Sequence, residues 1–413
     1  MEFVNVVVFT LLFLLVWRKC RHLYPLYVVG IWLFSSLVGI LYVQSDLYRD
    51  GIDKTTIMPF IFLAFCLLIS LFPFVIQKYD VKAIIFPEKI VKYYIFVMSI
   101  MAIMPLCEIS FGIIKLIADG QFLMLGAMKD DVATDNADAL IKVSGISDSF
   151  LWRLNATKIV NMVVLFYCLQ RRNINIRYII CIFIVSLLPA LNSLRFGSRT
   201  DFIFFALAAF GMYLYLKDCF DKERKIIIKR TGIIFSSVLL AIMIAISIGR
   251  YVVGQQMGKS DVGDFLYQYT AESIYNFNDN IYNEKGTAGG LDTMFPVYQD
   301  LGLVSNNVER REILGTKIKG ATHIFYSYIG DLCIDWGKGA TVLILLFLAF
   351  SIRFFNRKAE ISLSAMCILA LYMYLISNGL FYFCYKGGWK PITWTIIIAI
   401  IAFFVERKYK EKI

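Results

Sequence analysis

Uncharged, apolar stretches recur along this chain at close to the length that carries a helix through a bilayer, and no other feature limits its fold as strongly. A span needs roughly 20 such residues, and runs of this kind lie at about 2–17, 24–44, 57–76, 93–114, 178–194, 200–216, 231–249, 339–352, 361–381 and 389–405. Backbone inside lipid must satisfy its own hydrogen bonds, which leaves helices or closed barrels. Runs this long and continuous are helical. Composition agrees, since 59% hydrophobic with only 18% charged residues over 413 positions is not that of a soluble domain. The sequence predicts an all-α polytopic membrane protein. The opening "MEFVNVVVFTLLFLLVWRKCRH" places its basic cluster after the apolar stretch and offers no small-residue cleavage site, so it reads as a retained span.

A weaker segment at about 155–170, "NATKIVNMVVLFYCLQ", carries Lys158, and charge decides its status. With it counted, alternate connections at 18–23, 77–92, 171–177, 217–230, 353–360 and from 406 onward hold 23 Lys/Arg against 8 Asp/Glu, while the rest of the chain holds 19 against 23. Short cationic loops stay in the cytoplasm. The expected topology is eleven transmembrane helices with the N-terminus outside and the C-terminus inside.

The net charge of +11 is then a topology signal, because its lysines and arginines are spread over short loops. A nucleic-acid partner would need one contiguous basic face, and none is expected. The nine cysteines fall mostly in spans, without CxxC or ligand spacing, which argues against a metal site and against a disulfide framework. No fixed-period repeat is visible, so the chain reads as a single integral membrane domain, 1–413.

Two connections are long, and both fall outside on this topology: 115–154, which is rich in aspartate, and the larger 250–338. A loop of the second size is expected to carry short helices of its own. Its segment "DFLYQYTAESIYNFNDNIYNEKGTAGGLD" mixes flat aromatic rings with planar amides, which suit a sugar ring as well as they suit packing against helix ends.

Charge at the outer membrane surface narrows the function. In "LNSLRFGSRTDFIFFALAAF", Arg195 and Arg199 stand at the seam between two spans, with Gly197 and Ser198 between them and Asp201 after them. Arg250 leaves a third span on the same side. An arginine near a helix end can anchor it to headgroups. Three together point to a polyanionic ligand such as a pyrophosphate, because the guanidinium fork matches phosphate oxygens and stays charged. Continued helix would place Arg195 and Arg199 on one face.

The stretch "GATHIFYSYIGDLCIDWGKGATVLILLFLAF" closes the large loop. It holds His323, one of two histidines, then Tyr326, Tyr328, Asp331, Asp335, Trp336 and the glycines Gly337 and Gly339. The other histidine, His22, sits in the first basic loop. A histidine titrating near neutrality suits proton abstraction, with Asp331 or Asp335 as alternatives. Tyr326, Tyr328 and Trp336 are candidate sugar platforms or members of the interfacial aromatic belt.

The seam "RFGSRTDFIFF", the large extracytoplasmic loop and the pattern Y-x-x-D-x-x-x-D-W-G-x-G before a late span resemble the Wzy-type polymerases of O-antigen and capsule oligosaccharide repeat units. The likeness covers most of the chain in layout, and its motifs are short. It implies a GT-C-like helical fold in the bacterial cytoplasmic membrane with the site facing outward. Undecaprenyl-pyrophosphate-linked oligosaccharides would be donor and acceptor, and membrane lipids and a chain-length regulator would be partners. The activity implied is an inverting glycosyltransferase without metal or cofactor, in which Arg195, Arg199 and Arg250 hold the pyrophosphate. His323, Asp331 or Asp335 would take the acceptor's proton.

Three other functions fit parts of this pattern. A lipid-linked oligosaccharide flippase would also need arginines for pyrophosphate but would have small loops. An O-antigen ligase shares the layout. A glycosyltransferase using a polyprenyl-phosphate sugar would place acids early, as at Asp46, Asp50 and Asp53.

Overall fold

The computed structural model describes residues 2–20, 22–45, 48, 55–121, 141–196, 198–256, 262–318, 325–386 and 388–410, and these are almost entirely helical. Among them, six helices are long and apolar enough to cross a membrane: Leu23–Gln44, Ile57–Val75, Glu88–Ala118, Ile176–Leu194, Thr200–Cys219 and Ser327–Phe355. Lys158–Gln170 and Leu363–Asn378 are shorter apolar helices. The chain is a helical, multi-pass membrane protein. Its outer surface says the same: Leu343, Phe347, Phe350 and Phe354, spaced to share one helical face, are each more than half exposed. Such a stripe is unfavourable in water and ordinary against acyl chains.

The chain divides into two compact units. The first comprises Met1–Lys78, Gly258–Arg357 and Leu375–Trp389. Here α1 (Glu2–Lys19) packs on α2 (Leu23–Gln44) through stacked Phe9 and Trp32 rings 5.6 Å apart and through Ser36 Oγ donating to Asn5 Oδ1. The helix α3 (Ile57–Val75) follows.

Part of the stretch read as outer loop folds back along these helices. In α10 (Val262–Asn276), the Thr270 carbonyl accepts from Ser35 Oγ, midway along α2. Gly39 admits the Tyr275 ring where a Cβ would lie 2.6 Å from it. Beyond a π-turn at Phe277–Ile281 come two short helices, α11 (Phe295–Asp300) and α12 (Asn307–Lys317), and then α13 (Ser327–Phe355).

Gly337 interrupts α13 at φ 76, ψ 166, a conformation open to glycine and not to residues with a Cβ. The chain reverses there. Up to the break, α13 runs from Tyr328, whose hydroxyl donates to Ser70 of α3, to Gly337, and just past it the Lys338 ammonium lies over the Tyr282 ring that packs on Phe62 of α3. Ten residues of α13 and eight of α3 both span roughly 12–15 Å, so the first part of α13 is antiparallel to α3. After Gly337 the chain returns, with Phe350 meeting Phe72 and Asn356 donating to the Pro73 carbonyl. The pattern Y-x-x-D-x-x-x-D-W-G therefore forms the rising arm of a helical hairpin. Because the helix starts at Ser327 with Tyr326 as its N-cap, Tyr326 and Asp331 do not share one helical repeat.

The second unit comprises Tyr79–Met257, Lys358–Tyr374 and Lys390–Ile413. It holds α4 (Glu88–Ala118), α5 (Gly145–Ala156), α6 (Lys158–Gln170), α7 (Ile176–Leu194), α8 (Thr200–Leu216), α9 (Lys222–Gln256), most of α14 (Leu363–Asn378) and α15 (Lys390–Lys410). The weak segment of the sequence is α6, and the structure explains its weakness. Every residue from Ile159 to Cys168 is buried, so the helix is solvated by protein rather than lipid. It tolerates Asn161, which accepts from Tyr94 Oη at 2.6 Å and donates to Thr157 Oγ1.

Five of the basic segments meet at one end of this unit. Strand β1 (Ala83–Ile85) pairs in parallel with β2 (Glu360–Ser362), and Gln170 caps it by donating to the Ile84 carbonyl and accepting from the Ile84 N–H. Arg172 bonds Asp221 at 2.6 Å, Cys219 donates to the Val81 carbonyl, and Glu406 accepts from the N–H and hydroxyl of Ser364.

Candidate functional site

The arginine seam belongs to the second unit. Helix α7 ends at Leu194 with Arg195 as C-cap, and α8 begins at Thr200 with Arg199 as N-cap. Ser193 closes the turn, its carbonyl accepting from the Ser198 N–H and its hydroxyl donating to the Ser198 carbonyl. The helix does not continue through the seam, so the two arginines are set by consecutive helix ends rather than by an i, i+4 repeat.

Both arginines are buried, at 6% and 7% exposure. Arg195 Nε donates to the Ile141 carbonyl at 2.9 Å, and Nη1 donates to Asp148 Oδ1 at 3.0 Å and Asn192 Oδ1 at 2.9 Å. A cation at a helix C-terminus is favourably placed, and here it ties the start of α5 to the end of α7. Arg199 stands at the N-terminal end of α8, where helix N–H groups and positive charge together favour an anion.

Two residues further on, Asp201 pairs with Lys158 of α6 at 3.3 Å. The Lys158 ammonium lies 5.3 Å from the centre of the Tyr374 ring. Lys158, Ser186, Pro189, Asp201, Phe205 and Tyr374 border a cavity of about 10 Å³, room for roughly one water-sized guest.

A second concentration of charge lies in the first unit, around the rising arm of α13. Asp331 and Asp335 are buried at 0% and 1% exposure. Asp335 Oδ1 accepts from the Asp292 N–H at 2.9 Å, and Oδ2 accepts from the N–H and hydroxyl of Thr293. The loop it holds also caps the arm, since the N–H groups of Ala288 and Gly289 donate to the Ile334 and Asp335 carbonyls. Gly290, at φ 92, presses against the Trp336 ring. The arm's other end is satisfied by the turn after α14, where the Phe381 and Gly379 carbonyls accept from the Ser327 and Tyr328 N–H groups.

This folding brings Asp292 beside Asp331. The Lys386 ammonium bridges them, 3.3 Å from Asp292 and 3.2 Å from Asp331, and the Phe383 N–H donates to Asp331 at 2.6 Å. Arg310 approaches Asp292 at 3.7 Å and stacks 4.7 Å from the Phe295 ring centre. Burial alone would push the Asp292 carboxyl up, but the Lys386 ammonium and Arg310 guanidinium outweigh it and hold the group below the usual carboxylate range. Burial likewise disfavours the charged form of Lys386, and the two carboxylates overcome it and raise the ammonium's pKa.

The residues singled out in the sequence thus divide. Arg195 and Arg199 come together in one unit, and Asp331 and Asp335 in the other. Tyr326 and Tyr328 are buried, at 2% and 0% exposure, while Trp336 keeps 38%. Arg250 falls on α9, with its side chain outside the described ones, and His323, the acids Asp46, Asp50 and Asp53, and most of the aspartate-rich loop lie outside the described residues. Sequence reasoning passed over Asp292, Arg310 and Lys386. Asp292 and Lys386 are isolated charges between elements, Arg310 is one of a run of four charges on α12, and the one signal for Lys386 was a cation just beyond an apolar run. Among the described residues, no group of three or more His, Cys, Asp or Glu could hold a metal ion. Comparison with protein-family models, curated proteins and solved structures yields no match for this chain.

Proposed function

We propose that the chain polymerises undecaprenyl-pyrophosphate-linked oligosaccharide repeat units into O-antigen or capsular polysaccharide at the outer side of the bacterial cytoplasmic membrane. The observation that carries this reading is the pair of buried guanidiniums, Arg195 and Arg199, at the adjoining ends of two apolar helices. Buried charges at the ends of apolar helices are costly and are candidates for sites. A growing glycan on its lipid pyrophosphate would donate its anomeric carbon to a hydroxyl of an incoming repeat unit, and undecaprenyl pyrophosphate would leave. The charge developing on the leaving group calls for fixed cations. Arg199, with Arg195 and Arg250, takes that role.

Eleven spans with the N-terminus outside belong to the same proposal. Its support is the meeting of basic segments at one end of the second unit, which requires an even number of crossings between each neighbouring pair of them, and cationic segments favour the cytoplasm.

A flippase for the same lipids is the second reading, favoured by the broken helix α13 and its buried Asp331–Lys386 pair, features that transporters build at substrate sites. Deleting the gene and analysing surface polysaccharide separates the two. Loss of a polymerase leaves single repeat units at the surface, whereas loss of a flippase leaves none. Full-length polymer after deletion would refute both.

A further inference from the structure

Glycosyl transfer needs a group to receive the proton of the attacking hydroxyl, and the aspartates of α13 are poorly placed for it. Asp331 and Asp335 are enclosed, and both oxygens of Asp335 are occupied by donors from Asp292 and Thr293.

Asp201 differs on each count. It lies in the first turn of α8, two residues after Arg199, and its side chain keeps 38% exposure. It borders the small cavity between α6, α7 and α8. Lys158, 16% exposed, faces it at 3.3 Å and fixes the carboxylate in place. The other titratable group on the cavity wall is Tyr374 of α14. Asp148, the other carboxylate bonded in this seam, is committed to Arg195.

We infer that Asp201, held by Lys158, is the proton acceptor for a sugar hydroxyl attacking a polyprenyl-pyrophosphate-linked donor bound at Arg199. This rests on the polymerase reading. In the step, the acceptor oxygen bonds to the donor's anomeric carbon while its proton passes to a carboxylate oxygen of Asp201. The bond from that carbon to the pyrophosphate oxygen breaks, and its electron pair leaves with the lipid pyrophosphate. Asp201 in the first turn of α8 would serve the attacking oxygen, and Arg199 at the N-cap of the same helix the leaving group.

The test uses the full chain, purified in detergent and supplied with lipid-linked repeat units extracted from a strain lacking the gene. Asp201→Asn should lower turnover on the order of 100- to 10,000-fold, with donor binding and melting temperature retained. It should also remove the acidic limb of the rate profile against pH, and Asp201→Glu should recover part of the rate. A charge swap, Lys158→Asp with Asp201→Lys, should keep the wild-type melting temperature but not the wild-type turnover. Full turnover in Asp201→Asn, or a swap that keeps both properties, would make the pair a structural ion bridge and overturn the inference. Loss of turnover in His323→Ala, with Asp201→Asn unaffected, would move the base to His323. A wild-type chain that transfers nothing, together with unchanged surface polymer on deletion, would overturn the polymerase reading itself; an active wild type with an active Asp201→Asn overturns only the assignment of the base.

Discussion

The Lys386 ammonium lies 3.2 Å from the Asp331 carboxylate although 54 residues separate the two positions in sequence, and the same ammonium reaches Asp292 at 3.3 Å. One lysine thus bridges two carboxylates that the hairpin of α13 and the loop before α11 would otherwise leave facing each other, with Arg310 a second cation at Asp292. Removing one partner of a buried pair strands the remaining charge, at a cost of about 3–5 kcal/mol. Lys386→Met should therefore lower the melting temperature sharply, and adding Asp331→Asn should recover part of the loss. Equal melting of Lys386→Met and wild type would show that the bridge contributes nothing.

The same cluster sets a pH dependence. Asp292 titrates below its unfolded value, so its contribution is present above the unfolded carboxylate pKa of about 3.9 and is lost as pH falls through the folded value. Lys386 titrates above its unfolded value, so its contribution holds below about 10.4 and is lost as pH rises through the folded value. Melting should be flat with respect to these groups between about pH 4 and 10. Asp292→Asn should lose the acid limb that this residue supplies. An unchanged acid limb in that variant would assign it to other carboxylates.

The break in α13 allows a backbone test. At φ 76, ψ 166, an alanine in place of Gly337 would strain the chain by about 1–3 kcal/mol. Gly339, two residues on, is helical with open space where a Cβ would go, and alanine there should be neutral or stabilising by about 0.5–1 kcal/mol. Thermal melting of the two variants should move in opposite directions. A Gly337→Ala protein as stable as wild type would argue against the reversal at that residue.

The membrane class was legible because it follows from one-dimensional signals: run length and the alternation of loop charge. The segment at 155–170 is indeed a helix, α6, but at 13 residues it is not among the six long enough to cross a membrane, and charge parity alone assigned it a crossing. The folding back of α10 and of the first arm of α13 was not legible. Nothing local distinguishes an aromatic outer loop from a helix whose Tyr275 fills the space over Gly39. The arginine seam stood out because charge between apolar runs is rare. Asp292, Arg310 and Lys386 did not, since each is an ordinary charge outside the apolar runs until the fold gathers them.

Topology gives a prediction that needs no activity. Reporter fusions at residues 85, 174, 224 and 356 should all report cytoplasm, because β1 pairs with β2 and Arg172 bonds Asp221, which gathers these segments at one end. Fusions at 130 and 290 should both report the outside. Opposite faces for 130 and 290 would refute the span through α6.

The two seam arginines should fail in different ways when replaced by lysine. Arg195 donates three hydrogen bonds, from Nε and Nη1 to Ile141, Asp148 and Asn192, which tie the start of α5 to the end of α7. A lysine ammonium cannot span that fork, so Arg195→Lys should lower the melting temperature, by about 1–3 kcal/mol of stability for a broken buried network. Loss of activity there would combine the displaced seam with a weakened hold on the pyrophosphate. Arg199 instead caps the N-terminal end of α8, where an anion is favoured. Arg199→Lys should keep the chain folded in the membrane while reducing polymerisation by roughly 100- to 1,000-fold, as for other preorganised donors to a developing oxyanion. The measurement pairs thermal melting with the length distribution of surface polymer in a complemented deletion strain. Normal polymer length in Arg199→Lys would remove Arg199 from the chemistry and leave it as a membrane anchor, whereas a melting loss as large as that of Arg195→Lys would make both arginines structural.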